Sequence, residues 1–364
     1  MGSIIRGSII MTTNSPKFTG TTATVLHKDE SSVTGLVTTI IPVYNRAGMV
    51  RTAVQSVLDQ THRPIEIILV DDGSTDDTLL ELHRLANEHP SIIRVAHREN
   101  GGPGLARETG RLLATGEFVQ YLDSDDLLLP RKFELQVAAL RKQPDCGIAY
   151  GITRLIDAEG GILQEPYKWT GRRFDFLFPS LLVERWWSTH TPLYRREICD
   201  AIGCWPFGRM GEDWIYDSRA AGHCVKLVHV PEAVSSHRQH GGERLTSGGL
   251  TPEKSRDIAH LIVALNQAAR HAKVDPQCPE MRHFSRWAFL EARRVGSFGF
   301  AREANDCLAI SRETSHTFDP KKLFIAVLAK LMGWRMTGTL CRVIEKTIPS
   351  KHVNDSLAKS VQAS

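Results

Sequence analysis

The feature that most constrains this chain is an alternation of short β-branched runs with helix-patterned segments over residues 36–122, each run stopped by a turn rich in Asp, Asn, Pro or Gly. Val37-Thr-Thr-Ile-Ile-Pro-Val43 leads into Tyr44-Asn45 and then helical spacing over 49–60 (Val50, Val54, Val57, Leu58). Ile65 to Val70 is stopped by Asp71-Asp72-Gly73-Ser74, and a helix pattern with an acidic first turn covers 75–88. Ile92 to Val95, a helix over 104–115 and Phe118 to Leu122 complete the series. Strands alternating with helices predict an α/β fold with a doubly wound, mostly parallel sheet. Ligands bind such sheets beyond the carboxyl ends of the strands, so Pro42 to Asn45, Asp71 to Ser74 and Asp123 to Asp126 are expected to converge on one cleft.

Length and charge bound the rest. At 364 residues the chain exceeds one average domain and falls short of three. Its 45 Lys+Arg against 41 Asp+Glu give a net charge of +4, which argues against a strongly basic nucleic-acid binder. The seven cysteines are odd in number and form no CxxC pair, which suggests neither a disulfide framework nor a zinc ribbon and fits a reducing, cytoplasmic setting. No uncharged apolar run reaches the eighteen or so residues of a membrane span. The longest candidate, Leu323 to Trp334, has twelve residues and contains Lys330. The expected organisation is a disordered tail over 1–35, an α/β domain over 36–248, a helical subdomain over 249–318, and a basic amphipathic helix with a tail over 319–364. Met11 offers an alternative start of translation.

The acidic turns carry the chemistry. In Asp123-Ser124-Asp125-Asp126 several carboxylates follow a strand, where they repel one another unless a cation sits between them. Mg²⁺ or Mn²⁺ is held by one or two carboxylates plus substrate phosphates. Ser124 or Asp125 equally serves as the N-cap of a helix starting near Pro130. Asp71 and Asp72 can accept hydrogen bonds from a base or a ribose hydroxyl, or make an ordinary Asp-Gly turn. Trp186 and Trp187 form an aromatic stretch that suits either an acceptor-sugar platform or the core.

Taken together, Thr39-Ile-Ile-Pro-Val-Tyr-Asn45, Ile68-Leu-Val-Asp-Asp-Gly-Ser-Thr-Asp76, Glu99-Asn-Gly-Gly-Pro-Gly-Leu-Ala-Arg107, Gly116 to Asp126 and Gly211-Glu-Asp213 resemble the successive motifs of glycosyltransferase family 2, across roughly 36–245. The resemblance implies a GT-A fold with a C-terminal helical extension, a nucleotide-sugar donor (UDP-sugar expected), and inversion at the anomeric carbon. On the matching positions it implies that Pro42, Tyr44 and Asp71 or Asp72 hold the nucleoside, with Asn45 and Ser124 in the same donor-binding turns. Arg107 would approach the donor, Asp123 the ribose or sugar, and Asp125, with Asp123, the Mn²⁺ or Mg²⁺ bridging the diphosphate. Asp213, beside Glu212 in the family's ED motif, would be the general base. His237-Arg238-Gln239-His240 resembles the R-x-H stretch that follows it. There Arg238 would pair with a phosphate and His240 would complete the metal site, with His237 as the alternative imidazole.

Between Lys321 and Lys351 lie seven Lys or Arg and one acid, Glu345, while Leu323, Phe324, Val327, Leu328 and Leu331 share one helical face. Lys322, Ala326, Ala329, Lys330 and Gly333 lie opposite, a pattern that suits peripheral contact with a membrane through 320–350 or docking on the preceding helices. The reading is a metal-dependent inverting hexosyltransferase of polysaccharide biosynthesis, cytoplasmic or at the inner face of the membrane, acting on a hydroxyl of a glycan or lipid-linked glycan. A non-catalytic nucleotide-sugar-binding or assembly protein on the same fold is the rival.

Overall fold

The computed structural model describes residues 32–208, 210–239, 241, 249–315 and 319–347. The alternating half folds as β1 (Val33–Val43), α1 (Val50–Leu58), β2 (Ile65–Asp71), α2 (Thr78–Glu88), β3 (Ile93–His97), α3 (Pro103–Leu113) and β4 (Gly116–Tyr121). β1 begins at Val33, inside the stretch expected to be tail, because Val33 N–H bonds the Thr115 carbonyl at 3.0 Å and so extends the pairing of β1 with β4. Residues 1–31 of that expected tail lie outside the described residues, as do His240 and residues 348–364.

A less regular stretch follows: β5 (Leu127–Leu128), α4 (Lys132–Lys142), β6 (Cys146–Ile156), β7 (Ile162–Gln164), a 3₁₀ turn (Ser180–Leu182), β8 (Leu193–Arg195), α5 (Arg196–Ile202), α6 (Glu212–Gly222) and β9 (Lys226–Arg238). All nine strands join one sheet in the order β3-β2-β1-β4-β8-β6-β9-β5, with β7 against β6. Pairings among β3, β2, β1 and β4 are parallel, β8 runs antiparallel to both β4 and β6, and β9 is parallel to β6. The chain winds outward from β1 through β2 to β3, then crosses to β4 on the other side. That reversal opens a crevice at the carboxyl ends of β1 and β4.

The sheet is buried on both faces. Val37 and Ile41 of β1 pack with Val54, Val57 and Leu82, whereas Ile40 points the other way, toward Ala106 and Tyr121. This explains why the strands read as continuous apolar runs rather than alternating ones. The second face is covered by α3 and α5, and beyond them α7 (Pro252–His271), α8 (Pro279–Ser297), α9 (Ala301–Glu313), α10 (Pro320–Met332) and α11 (Trp334–Thr347) form a helical layer that packs on α6 and the 3₁₀ turn. Leu265, Phe284, Cys307 and Trp334 from these helices belong to the same buried cluster as Tyr121 and Tyr216. The expected single basic helix is two helices, broken at Gly333 with φ +80°.

Gly110 of α3 faces Ile40, and a methyl group there would overlap the Ile40 Cγ2 atom. Gly110→Ala is therefore expected to cost about 1–3 kcal/mol of stability, seen as a lower midpoint in thermal or urea unfolding. Gly48→Ala, where a methyl meets open space, should leave the midpoint nearly unchanged.

Candidate functional site

The crevice is a cavity of about 830 Å³, within the roughly 300–1,000 Å³ typical of small-ligand sites. Pro42, Tyr44 and Asn45 from the end of β1, Asp72 from the end of β2, Arg107 of α3 and Asp123 to Asp126 beyond β4 line it. Lys168, Arg185, Thr189, Glu212, Asp213 and His237 close the other side. The three turns singled out in the sequence thus share one wall. Tyr44 is half-exposed, and Asn45 pins its own turn to the next. Its side-chain oxygen accepts from Thr75 N–H at 2.9 Å, and its N–H donates to Ser74 Oγ at 3.0 Å.

The two aspartates of the second turn divide their work. Asp71 is fully buried, takes the Nδ1 of His97 at 2.7 Å, and is not among the lining residues. Asp72 is, held by Arg98 and by the N–H groups of Gly101 and Gly102 at 3.1 and 2.8 Å. Of the pair, Asp72 is the one that faces the cavity. Arg238 is likewise absent from the lining; its backbone N–H donates to Asp126 Oδ1 at 2.9 Å.

Two buried arginines organise the acids. Arg107 donates from Nη2 to Asp123 at 2.6 Å and from Nη1 to Glu212 at 2.9 Å, with its guanidinium over the Trp205 ring at 4.8 Å. Arg185 pairs with Asp213 at 2.8 Å through Nη1 and with Asp217 at 2.7 Å through Nε. Asp217 is fixed by Trp187 Nε1 at 2.8 Å and Tyr194 Oη at 2.7 Å. Trp187 therefore has a place in the site's support, not on its surface. It and Trp186 are buried at 0% and 1% exposure, which corrects their reading as an acceptor platform: no sugar face can reach them.

The environments of the ED pair push their acidities apart. Burial, then the adjacent charge of Asp213, raises Glu212 to about 7 against the pull of Arg107. Burial would raise Asp213 too, but the charges of Arg185, Arg107 and Lys168 outweigh it and hold that carboxyl below its ordinary range. Asp213 is thus ionised, and its side chain is 28% exposed at the cavity wall. Its Oδ1 also accepts from Trp214 N–H at 2.7 Å. Lys168 donates to the Arg185 carbonyl at 2.7 Å, and burial lowers its affinity for its proton.

A second cluster was only partly read from the sequence, which named His237 as the alternative imidazole of the metal site. Asp126, His190 and His237 bring three potential metal-ligand atoms within 4.8 Å of one another. His237 Nδ1 lies 3.2 Å from Asp126, and its ring stacks on Tyr167 at 5.4 Å. His190 is fully buried with Nδ1 2.8 Å from Asp126 Oδ2, yet neither ring nitrogen makes an aligned hydrogen bond. A buried imidazole in that state fits a cation, and one carboxylate with two imidazoles offers a mixed oxygen and nitrogen ligand set for a divalent ion. Asp125 and Asp123 supply harder oxygen ligands in the same cavity. Asp126 stood in the acidic motif but had no role assigned. His190 stood in the aromatic stretch, where its neighbours masked it.

Two measurements test these electrostatics. Glu212 holds its proton up to about pH 7 when folded but to about 4.5 when unfolded, so stability falls as pH rises through that window. Glu212→Gln should flatten the fall in urea unfolding. Arg185→Met should raise the Asp213 carboxyl by roughly 1–3 pH units, read from the ¹³C carboxyl signal that Asp213→Asn removes.

The model of the family "Glycosyl transferase family 2" matches residues 38–203. Chondroitin synthase of Escherichia coli is 38% identical over 134 residues, 37% of this chain and 19% of that protein. Hyaluronan synthase of Pasteurella multocida is 33% identical over 134 residues, covering 37% and 14%. The chain thus spans a small part of these relatives' length. Among solved structures, Staphylococcus aureus TarS 1-349 in complex with UDP superposes with a TM-score of 0.63 over 88% of this chain and 94% of that one, at 17% identity. Residues 38–203 thus carry the match to glycosyltransferase family 2, and the chain around them has a GT-A fold.

Proposed function

We propose that the protein is a metal-dependent inverting glycosyltransferase, moving one sugar from a nucleotide donor to a hydroxyl of a glycan or lipid-linked glycan. The observation that carries this is the ionised Asp213 standing in the same cavity as Asp72 and the Asp123–Asp126 turn. In the reaction Asp213 takes the proton of the acceptor hydroxyl as its oxygen bonds to the anomeric carbon. The bond from that carbon to the diphosphate breaks in the same displacement, which inverts the centre. Tyr44 and Asp72 bind the nucleoside, Asp72 as hydrogen-bond acceptor. Arg107 holds Asp123 and Glu212 in register, so that the donor side and the base side of the cavity keep their spacing.

Asp125 and Asp123, with Asp126, His190 and His237, would hold Mn²⁺ or Mg²⁺; the metal supplies charge neutralisation for the departing diphosphate. A uridine diphosphate donor is favoured by the likeness to TarS, which was solved with UDP and with UDP-GlcNAc. A polymeric or lipid-linked acceptor is favoured by the chondroitin and hyaluronan synthases among the relatives. The seven unpaired cysteines favour a reducing compartment, with the reaction at the cytoplasmic face of the membrane.

Thermal stabilisation by UDP-, GDP- and dTDP-sugars, with and without Mn²⁺, identifies the donor. We expect UDP-sugars to stabilise the chain only with metal, and Asp125→Asn to abolish that dependence. Asp213→Asn should retain donor binding while lowering turnover by about 10²–10⁴-fold. Unchanged turnover would remove Asp213 from the reaction, and donor binding without any transfer in the unaltered chain would favour the non-catalytic assembly protein.

A further inference from the structure

The helices α10 and α11 are docked by one face only. Ile325, Trp334, Thr337 and Cys341 turn inward, and Trp334 Nε1 donates to Asn305 Oδ1 at 2.8 Å. Lys322 also turns inward, its ammonium donating to Ser285 Oγ and the Ser311 carbonyl at 2.9 Å each. That corrects the expectation that Lys322 belongs to a solvent-facing basic side; it fastens α10 to α8 and α9. Among the described residues nothing covers the opposite face. Phe324 is 60%, Leu331 78% and Met336 62% exposed, with Leu323, Val327 and Leu340 beside them at 40–47%. Six large apolar side chains thus stand exposed on two consecutive helices, more than soluble monomers commonly leave uncovered in one region.

Charge selects what covers it. Lys321, Lys330 and Arg335 are exposed on the same two helices, and no Asp or Glu occurs from Pro320 to Cys341. A second copy packed face to face on this patch would bring these cations against their own counterparts. The chain's undescribed ends offer no net negative charge either. Residues 1–31 hold Arg6, Lys17 and Lys28 against Asp29 and Glu30, and residues 348–364 hold Lys351 and Lys359 against Asp355. An anionic bilayer surface satisfies both halves of the patch, since the apolar side chains enter the acyl boundary and the long cationic ones reach back to phosphate. Among the described residues no helix is long and apolar enough to cross a membrane, so the contact lies in the plane of the surface.

We propose that the exposed face of α10 and α11 docks this protein on an anionic membrane surface. The surface and its test are independent of the chemistry proposed for the cavity. The experiment is co-sedimentation of the full chain with vesicles of phosphatidylglycerol and phosphatidylcholine, or of phosphatidylcholine alone, at low and high salt. The chain should pellet with the anionic vesicles at low salt and be released by high salt. Both Phe324→Glu/Leu331→Glu and Lys321→Gln/Lys330→Gln/Arg335→Gln should reduce the bound fraction about tenfold or more, with unfolding midpoints like that of the unaltered chain. The charge variant keeps the test decisive if the apolar one folds poorly. A chain that stays in the supernatant at low salt, whether monomeric or self-associated, overturns the proposal, as does equal binding to both kinds of vesicle.

Discussion

The arrangement of the site depends on the bidentate pairing of Arg107 with Asp123 and Glu212. These carboxylates are far apart in sequence and sit on different parts of the sheet's edge, one beyond β4 and one at the start of α6. A guanidinium with 3% residue exposure cannot be left unpaired without a large desolvation penalty, so its two partners are held at fixed separation. Arg185 repeats the device one step further along α6, bridging Asp213 and Asp217. Each arginine serves two acids, which lets four carboxylates share one region, although burial and the charge of Asp213 still push Glu212 toward its neutral form.

That pairing also sets apart two adjacent residues of opposite behaviour. Glu212 and Asp213 are neighbours in the chain, yet one is pushed up to about 7 and the other held below its ordinary range. The difference comes from what each faces. Glu212 is almost wholly enclosed and shares its arginine with Asp123, whereas Asp213 has the charges of Arg185, Arg107 and Lys168 around it. Helix α6 supplies the pair with a common base, and the tertiary packing differentiates them.

The parallel half of the fold was legible because each strand there is a β-branched run buried on both faces and stopped by a turn with its own chemistry. Proline 42, Asp72 and Asp123 to Asp126 could be placed on one cleft from that pattern alone. β9 was not legible: Pro231 interrupts its pattern, and the structure absorbs the interruption with register shifts against β6. Arg185, Lys168 and His190 were invisible for a different reason. Each sits in a stretch whose local character is aromatic or irregular, and each acquires its partners across 17 to 64 positions of chain. The tryptophans at 186 and 187 misled for the converse reason, since aromatic composition says nothing about which side of the wall a ring occupies.

The place of β9 in the sheet has a consequence for where the protein can be divided. The family match ends at residue 203, yet β9 runs over Lys226–Arg238 and lies between β6 and β5, not at the sheet's rim. A fragment cut at the homology boundary would lose both Glu212 and Asp213, uncover the long edge of β6 and strip β5 of its partner. An open edge of that length is a template for intermolecular pairing. The unit recognised by sequence similarity and the unit able to fold by itself are therefore different lengths of the same chain.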